Sequence, residues 1–224
     1  MIIHEAKDYV VIATGLDKPS INRKTGDMIQ TWILVKDEKP TEALKSGRDE
    51  IVCGDCSLRG INGKERACYV NLGFAPNNVY RKYVSGGYGG FDLDLFRDRF
   101  VRFGSYGEPT LIPFDLVEQI ASVASGHTGY THQWRNPKYQ PYSQFFMASC
   151  DGTDYSNALE AGWRAFVVSD ASIPQLVTCP ASKEFEAKWG HRRTCQQCGL
   201  CAGTNRPAKS IVIAPHGSGA KWAA

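Results

Sequence analysis

Seven of the eight cysteines fall in two short windows whose spacings suit metal ligation. The first window is Cys53-Gly54-Asp55-Cys56, then eleven residues, then Cys68-Tyr69. Thiolates two residues apart can turn inward around one metal while backbone amides point at the sulfurs. Three cysteines leave one coordination position open, as a catalytic metal or cluster requires; the alternative is a structural zinc whose fourth ligand comes from elsewhere. The second window is Cys179-Pro180, then fourteen residues, then Cys195-Gln196-Gln197-Cys198-Gly199-Leu200-Cys201. Three thiolates on one tight C-x2-C-x2-C loop match three corners of an iron–sulfur cubane. Tetrahedral zinc more often takes two well-separated pairs. Cys179 would close the fourth corner. His191 is a substitute ligand, although its neighbours Arg192 and Arg193 suit a solvated face. Cys150 follows the apolar run Phe145-Phe146-Met147-Ala148 and reads as a buried small hydrophobe.

Whether these thiols hold metal or pair as disulfides depends on the compartment. Met1 to Lys7 has no basic region followed by an apolar core, so it does not read as a secretory signal. No stretch reaches the roughly 18 apolar residues that span a bilayer. A cytoplasmic protein with reduced thiols is expected. With 42% hydrophobic and 22% charged residues the chain is not of disordered composition. Its formal net charge of +3 is too small to argue for nucleic acid on its own.

These windows need a scaffold. At 224 residues a single α/β domain, residues 1–224, is the expectation, with metal-binding loops at about 53–68 and 179–201. Tyr9 to Ala13 and Met28 to Lys36 read as strands around a turn-rich segment. Lys39 to Glu50 reads as a charged loop, and Val79 to Gly90, with four glycines, as an irregular mobile loop. Asp92 to Arg99 suits a helical turn or two. Beyond it strands alternate with helices: Phe100–Phe103, Gly129–Trp134, Phe145–Ser149, Arg164–Val168 and Ser210–Ala214 as strands, Pro113–Ser125 and Tyr155–Ala161 as helices. Gly162 caps the second of these helices. That alternation implies parallel β-α units, closing into a partial (β/α) barrel or an open, mostly parallel sheet.

Each late strand ends in polar or ionisable residues: Glu108, then Tyr130-Thr131-His132, then Asp151, Asp170 and His216. Ligands of parallel α/β folds bind at the carboxyl ends of the strands, so Glu108, His132, Asp151 and His216 are candidate catalytic residues on one rim. The plainer explanation is that loops are polar wherever they follow strands.

The chain resembles a family of uncharacterised proteins encoded by bacteriophages and prophages. The shared residues are the Lys24-Thr25-Gly26 turn, Cys68-Tyr69, Arg102-x-Gly104-Ser105-Tyr106-Gly107-Glu108-Pro109 and Gly126 through Trp134. Met147-Ala148-Ser149, Cys179-Pro180-Ala181 and His216-Gly217 complete them. A more distant resemblance is to radical S-adenosylmethionine enzymes. These have three cysteines after the first barrel strand, an aromatic beside the last, and a Gly-Glu motif after the second strand. That resemblance implies a [4Fe–4S] cluster with one open iron on Cys53, Cys56 and Cys68. It also implies a cofactor site at Tyr69, Gly107 and Glu108, with Glu108 near the methionine amine, and an auxiliary cluster on Cys179, Cys195, Cys198 and Cys201. Here the spacing is C-x2-C-x11-C, where that enzyme family has C-x3-C-x2-C.

Two function classes follow, and the sequence leaves open whether the chain is an enzyme. One is an iron–sulfur protein, radical-S-adenosylmethionine-like, acting on a small molecule or nucleic acid at the strand-end pocket. The other is a non-catalytic protein in which zinc or a cluster fixes loops against nucleic acid or a host protein. Arg81, Lys82, Arg97, Arg99, Arg192 and Arg193, with Tyr80, Tyr83, Tyr88 and Phe91, are its candidate contacts. Neither class requires a membrane.

Overall fold

The structure is a computed structural model that describes residues 1–18, 20, 22–60, 65–217 and 219–222. Its first sheet begins with β1 (Ile2–Glu5), β2 (Tyr9–Thr14) and β3 (Met28–Val35). These strands are rich in β-branched residues, and Val10 to Ala13 and Ile33 to Val35 are almost wholly buried. They pair antiparallel, and β3 then pairs parallel with β4 (Phe100–Tyr106), which pairs parallel with the short edge strand β5 (Gly126–Thr128). The second sheet is parallel throughout. Its order is β6 (Tyr130–Thr131), β7 (Met147–Asp151), β8 (Ala165–Val168), β10 (Ile211–Ile213) and β9 (Val177–Thr178).

The architecture is therefore mixed α/β in two five-stranded sheets, and among the described residues no barrel is closed. The antiparallel hairpins of β1, β2 and β3 depart from the parallel expectation, because short turns join antiparallel neighbours whereas parallel strands need long crossovers.

Two segments expected as loops are helical. Within 39–50, α1 (Pro40–Ser46) starts on a proline at its first turn and stops at Gly47, whose φ of 78° lets its N–H reach the Leu44 carbonyl. A second short helix, α2 (Glu50–Cys53), follows. The Val79–Gly90 segment is helical over its first half, in α3 (Ala75–Val84), because Val79, Tyr80 and Tyr83 bring an apolar face to the core. The remaining helices are α4 (Phe114–Val123), α5 (Tyr155–Glu160), α6 (Lys183–Trp189) and α7 (Cys195–Cys198). None is long and apolar enough to cross a membrane among the described residues.

The expected strand Gly129–Trp134 is shortened to Tyr130–Thr131, and Gln133–Arg135 form a helical turn. Gly129 separates β5 of the first sheet from β6 of the second, donating its N–H to Cys201 O (3.0 Å) and accepting the Met147 N–H (3.0 Å). A Cβ on Gly129 would stand 2.5 Å from the Phe146 ring. One buried cluster joins the two sheets, with Val11, Ile33 and Phe103 from the first and Ala148, Ala165 and Val167 from the second. A smaller one groups Met147, Cys179, Ala181, Cys201, Ile211 and Ile213.

Two outcomes follow. Gly129→Ala should lower stability by about 1–3 kcal/mol through overpacking, read from urea unfolding; an unchanged midpoint would show that Phe146 yields freely. The second concerns His127, whose Nε2 lies 3.1 Å from Phe145 O and whose pKa burial pulls down to about 4. Between about 6.5 and 4 the unfolded chain takes up this proton before the folded one does, so stability rises with pH across that window. His132, also pulled down to about 4 by burial, adds in the same direction. His127→Gln should therefore flatten, without abolishing, the loss of stability on acidification from pH 7 to 4.5. An identical pH slope in mutant and parent would refute this.

Candidate metal and ligand site

The first cysteine window is built by short local turns. Cys53 ends α2, Gly54 turns with φ 58°, and Cys56 opens a helical turn over Ser57–Arg59. Residues 61–64 lie outside the described structure, but Cys68 returns, donating its N–H to Leu58 O at 2.9 Å. A buried ion pair holds this ring of turns. Arg59 meets Asp49 at 2.6 and 3.2 Å and donates to Gly54 O and Gly47 O, each at 3.0 Å. Both side chains are under 10% exposed. Backbone also joins the window to the Gly107-Glu108 turn, since the Glu108 N–H donates to Val52 O at 2.6 Å. Gly107, with φ 82°, allows that approach, because a Cβ there would stand 2.6 Å from Ile33 Cβ.

The second window is tied to the far end of the chain. The N–H groups of Cys195 and Gln196 donate to Lys24 O and Thr25 O at 2.9 and 3.0 Å. A capping box between Thr194 and Gln197 fixes the start of α7. Cys179 is placed by β9, its N–H on Val212 O at 2.8 Å.

Within each window the thiols sit close enough to act on one another. Cys53 feels Cys56 and Cys68, and Cys201 feels Cys179, Cys195 and Cys198. Burial is the main force on them, pushing Cys179 up to about 11, Cys56 to about 12, and Cys53 and Cys201 higher still. Backbone N–H groups oppose it at three sulfurs: Leu58 and Arg59 on Cys56, Ala181 on Cys179, Leu200 on Cys198. Amides aimed at sulfur favour the thiolate that a metal would hold. Thiol donors so oriented fit zinc or an iron–sulfur cluster in type. No group of three or more His, Cys, Asp or Glu stands at coordination spacing among the described residues.

Both windows open on one cavity of about 300 Å³. Its lining includes Cys53, Cys56 and Cys68 from the first window and Cys179 and Cys195 from the second. Tyr69, Gly107, Glu108, His132 and His216 line it too, so the strand-end residues named from sequence meet the thiols, with one exception. Asp151 lines a neighbouring cavity of about 290 Å³, with Asp55, Arg135 and Asp154, and only His132 among the rim candidates borders both. The reason is that Asp151 is the exposed last residue of β7 and holds Thr153 at 3.2 Å. Cys198 and His191 line a third, smaller hollow.

Glu108 is 4% exposed, and burial raises its pKa to about 7 against the pull of the Thr131, His132 and Thr110 hydrogen bonds. One oxygen accepts the His132 N–H at 3.0 Å, the other the Thr110 hydroxyl at 3.3 Å. His216 stacks on Tyr69 with centroids 5.2 Å apart. Its Nδ1 lies 3.2 Å from Ala214 O and its Nε2 2.8 Å from Lys24 Nζ. A carbonyl requires a proton on Nδ1 and an ammonium requires a lone pair on Nε2, so this imidazole is the neutral Nδ1–H tautomer. Cys150 is buried, as its apolar run implies.

Sequence reasoning gave no role to Lys24, Arg102 or Tyr106, and named Tyr130 only among the strand-end polar residues; all four are in the cavity wall. Their signal was present in the Lys24-Thr25-Gly26 turn and the Arg102-x-Gly104 segment, but no spacing rule assigns such residues to a site. Five of the six cations proposed for nucleic acid are engaged locally. Arg97 pairs with Asp94, Arg99 with Asp27, Arg192 with Glu186, Arg81 with Asn78, and Lys82 lies over the Tyr88 ring.

Comparison with protein-family models, curated proteins and solved structures returns no match.

Removing one partner of the Asp49–Arg59 pair leaves a buried charge alone. Arg59→Met should cost about 3–5 kcal/mol and speed the reaction of Cys53 and Cys56 with a thiol reagent, measured by unfolding and by labelling rates. Unchanged rates would show that the pair does not hold the window.

Proposed function

We propose that this chain is an iron–sulfur protein of the phage type, with a cavity that binds S-adenosylmethionine and a small-molecule substrate. The observation that carries the reading is the convergence of both cysteine groups, with Glu108 and Tyr69, on one cavity. Cys53, Cys56 and Cys68 would hold a cluster with one open iron, and Cys179, Cys195, Cys198 and Cys201 a second centre. When bound, a [4Fe–4S] cluster supplies one electron at a time and an open coordination position.

The chain's own groups do the rest. Glu108, its oxygens held by the His132 amide and the Thr110 hydroxyl, is placed to take an ammonium group. With its pKa raised to about 7, the carboxyl is divided between its two forms at neutral pH, and an incoming cation draws it to the carboxylate. Tyr69 and His216 offer a stacked flat wall. Phe103 and Phe146 are fully buried, and Tyr106 closes part of the cavity wall.

A second reading, zinc with no catalysis, is favoured at the second window alone. There Cys195 and Gln196 staple the 24–25 turn to the later sheet, which is a structural task.

Anaerobic purification followed by iron, sulfide and zinc analysis tests both. The expected protein is brown, with broad visible absorption and iron matched by sulfide. Cys198→Ala should lower metal content and thermal stability together, since metal binding and folding are linked. Cys56→Ala should lose iron while keeping the second centre. A colourless protein carrying zinc alone refutes the cluster reading, and full metal retention in Cys198→Ala refutes the second centre.

A further inference from the structure

The cavity wall carries two cations that pair with no carboxylate among the described residues, Glu184 acting on Lys24 only from beyond ion-pair distance. Arg102, on β4, is 8% exposed. One terminal nitrogen bonds the Tyr69 hydroxyl, and its Nε has no partner. Thr128, its neighbour in register on β5, likewise has a buried hydroxyl without a partner. Lys24 is held by His216, a neutral group that adds no negative charge. Among the described residues neither cation forms an ion pair with an acid. A buried guanidinium and a nearby ammonium without a counter-ion are costly, and the missing partner is an anion.

The second window could supply negative charge once metallated, but not enough. Four thiolates around a divalent zinc carry a net charge of about −2. Five cations act on those sulfurs: Lys24 on Cys179, Arg102 on Cys195 and Cys201, Arg164 on Cys201, and Arg193 and Arg206 on Cys198. Arg164 is spent on three carbonyls, those of Leu200, Gly203 and Lys209. A surplus of positive charge remains, and its cavity-facing part is Arg102 and Lys24.

Position separates these cations from Glu108. The two residues stand six apart along β4 and its turn, on the order of 10–20 Å for an extended segment. The Glu108 end adjoins Cys56, and the Arg102 end adjoins Cys195 and Cys201. The cavity thus has an acidic end at the first window and a basic end at the second.

We infer that the substrate of this cavity is anionic, and that Arg102 and Lys24 grip its carboxylate or phosphate at the second-window end. The inference rests on the reading of this cavity as a small-molecule site. The fork of Arg102 suits two oxygens of one anion, Lys24 supplies a point charge beside it, and the Tyr69 hydroxyl completes the cradle.

The test uses the full chain, purified anaerobically with its metal. It is titrated at constant ionic strength with inorganic phosphate, acetate and neutral acetamide, followed by calorimetry. Saturable binding of phosphate or acetate, with none for acetamide, is the expected result, and the tighter of the two identifies the anion. Arg102→Gln should weaken it about tenfold or more at unchanged metal content, and Arg102→Lys should keep part of it. If Arg102→Gln fails to fold, Lys24→Met gives the same readout. Anion binding should persist in the presence of saturating S-adenosylmethionine, which places the anion on the substrate.

Four results overturn the inference: no saturable anion binding, equal binding of acetamide, unchanged binding in both variants, or competition by S-adenosylmethionine. Loss of metal in Arg102→Gln with anion binding intact would also do so, by assigning the guanidinium to the metal centre. If the protein carries no metal at all, the cluster reading fails, and the same titration of the metal-free chain still decides the anion question.

Discussion

The backbone at Gly129 divides its hydrogen bonds between two parts of the molecule. Its N–H goes to the Cys201 carbonyl and its carbonyl takes the Met147 N–H, so the second cysteine loop and the start of β7 in the later sheet are registered on one residue. Phe146 lies against the place where a Cβ would be. The chain can pass from one sheet to the next only because no side chain intervenes. The cavity follows from this passage, since β4 and β6 come to lie on either side of it with Arg102 and Tyr130 facing inward. Without a fixed crossing, the two windows would belong to two independent surfaces.

A second constraint is electrostatic. The wall of the cavity mixes thiols that burial keeps protonated, a carboxyl poised near neutrality, a neutral imidazole and two cations. Metal uptake would expel protons from the thiols, and each thiolate so formed would make the Lys24 and Arg102 charges easier to bury. If the thiols take up metal, that uptake and an anion at the basic end would oppose one another through the same field, while a cationic group near Glu108 would be favoured by it.

Much of the frame was legible in the sequence because burial leaves a pattern. Tyr9–Ala13, Met28–Lys36 and the strands after Arg99 are runs of β-branched and aromatic residues, and each forms within a few residues of its expected place. Alternation with α4 announced the parallel β4–β5 pair of the first sheet, and alternation with α5 the parallel β7–β8 pair of the second. The helices at Pro40–Ser46 and Ala75–Val84 were missed because charged and glycine-rich composition hid a narrow apolar face that only packing on β3 rewards. At the site, the cysteines of the first window, Cys179, Cys195, Glu108, His132 and His216 share one cavity wall, whereas Asp151 falls outside it and Arg102 went unassigned. A mid-strand arginine has no local signature: its role comes from what lies opposite, and that is decided by tertiary register.

The wall of the cavity also fixes when it can exist. Lys24 touches His216 across 192 residues, and Tyr69 stacks on that same ring. Contacts so distant in sequence close late, after the loop entropy of nearly the whole chain has been overcome. On the ribosome, the first window would emerge long before its partner surface. Cys53, Cys56 and Cys68 would then wait with their thiols uncovered until the strand Ile211–Ile213 docks. The maturing chain is thus most vulnerable to oxidation in the interval between synthesis of residue 68 and synthesis of residue 216.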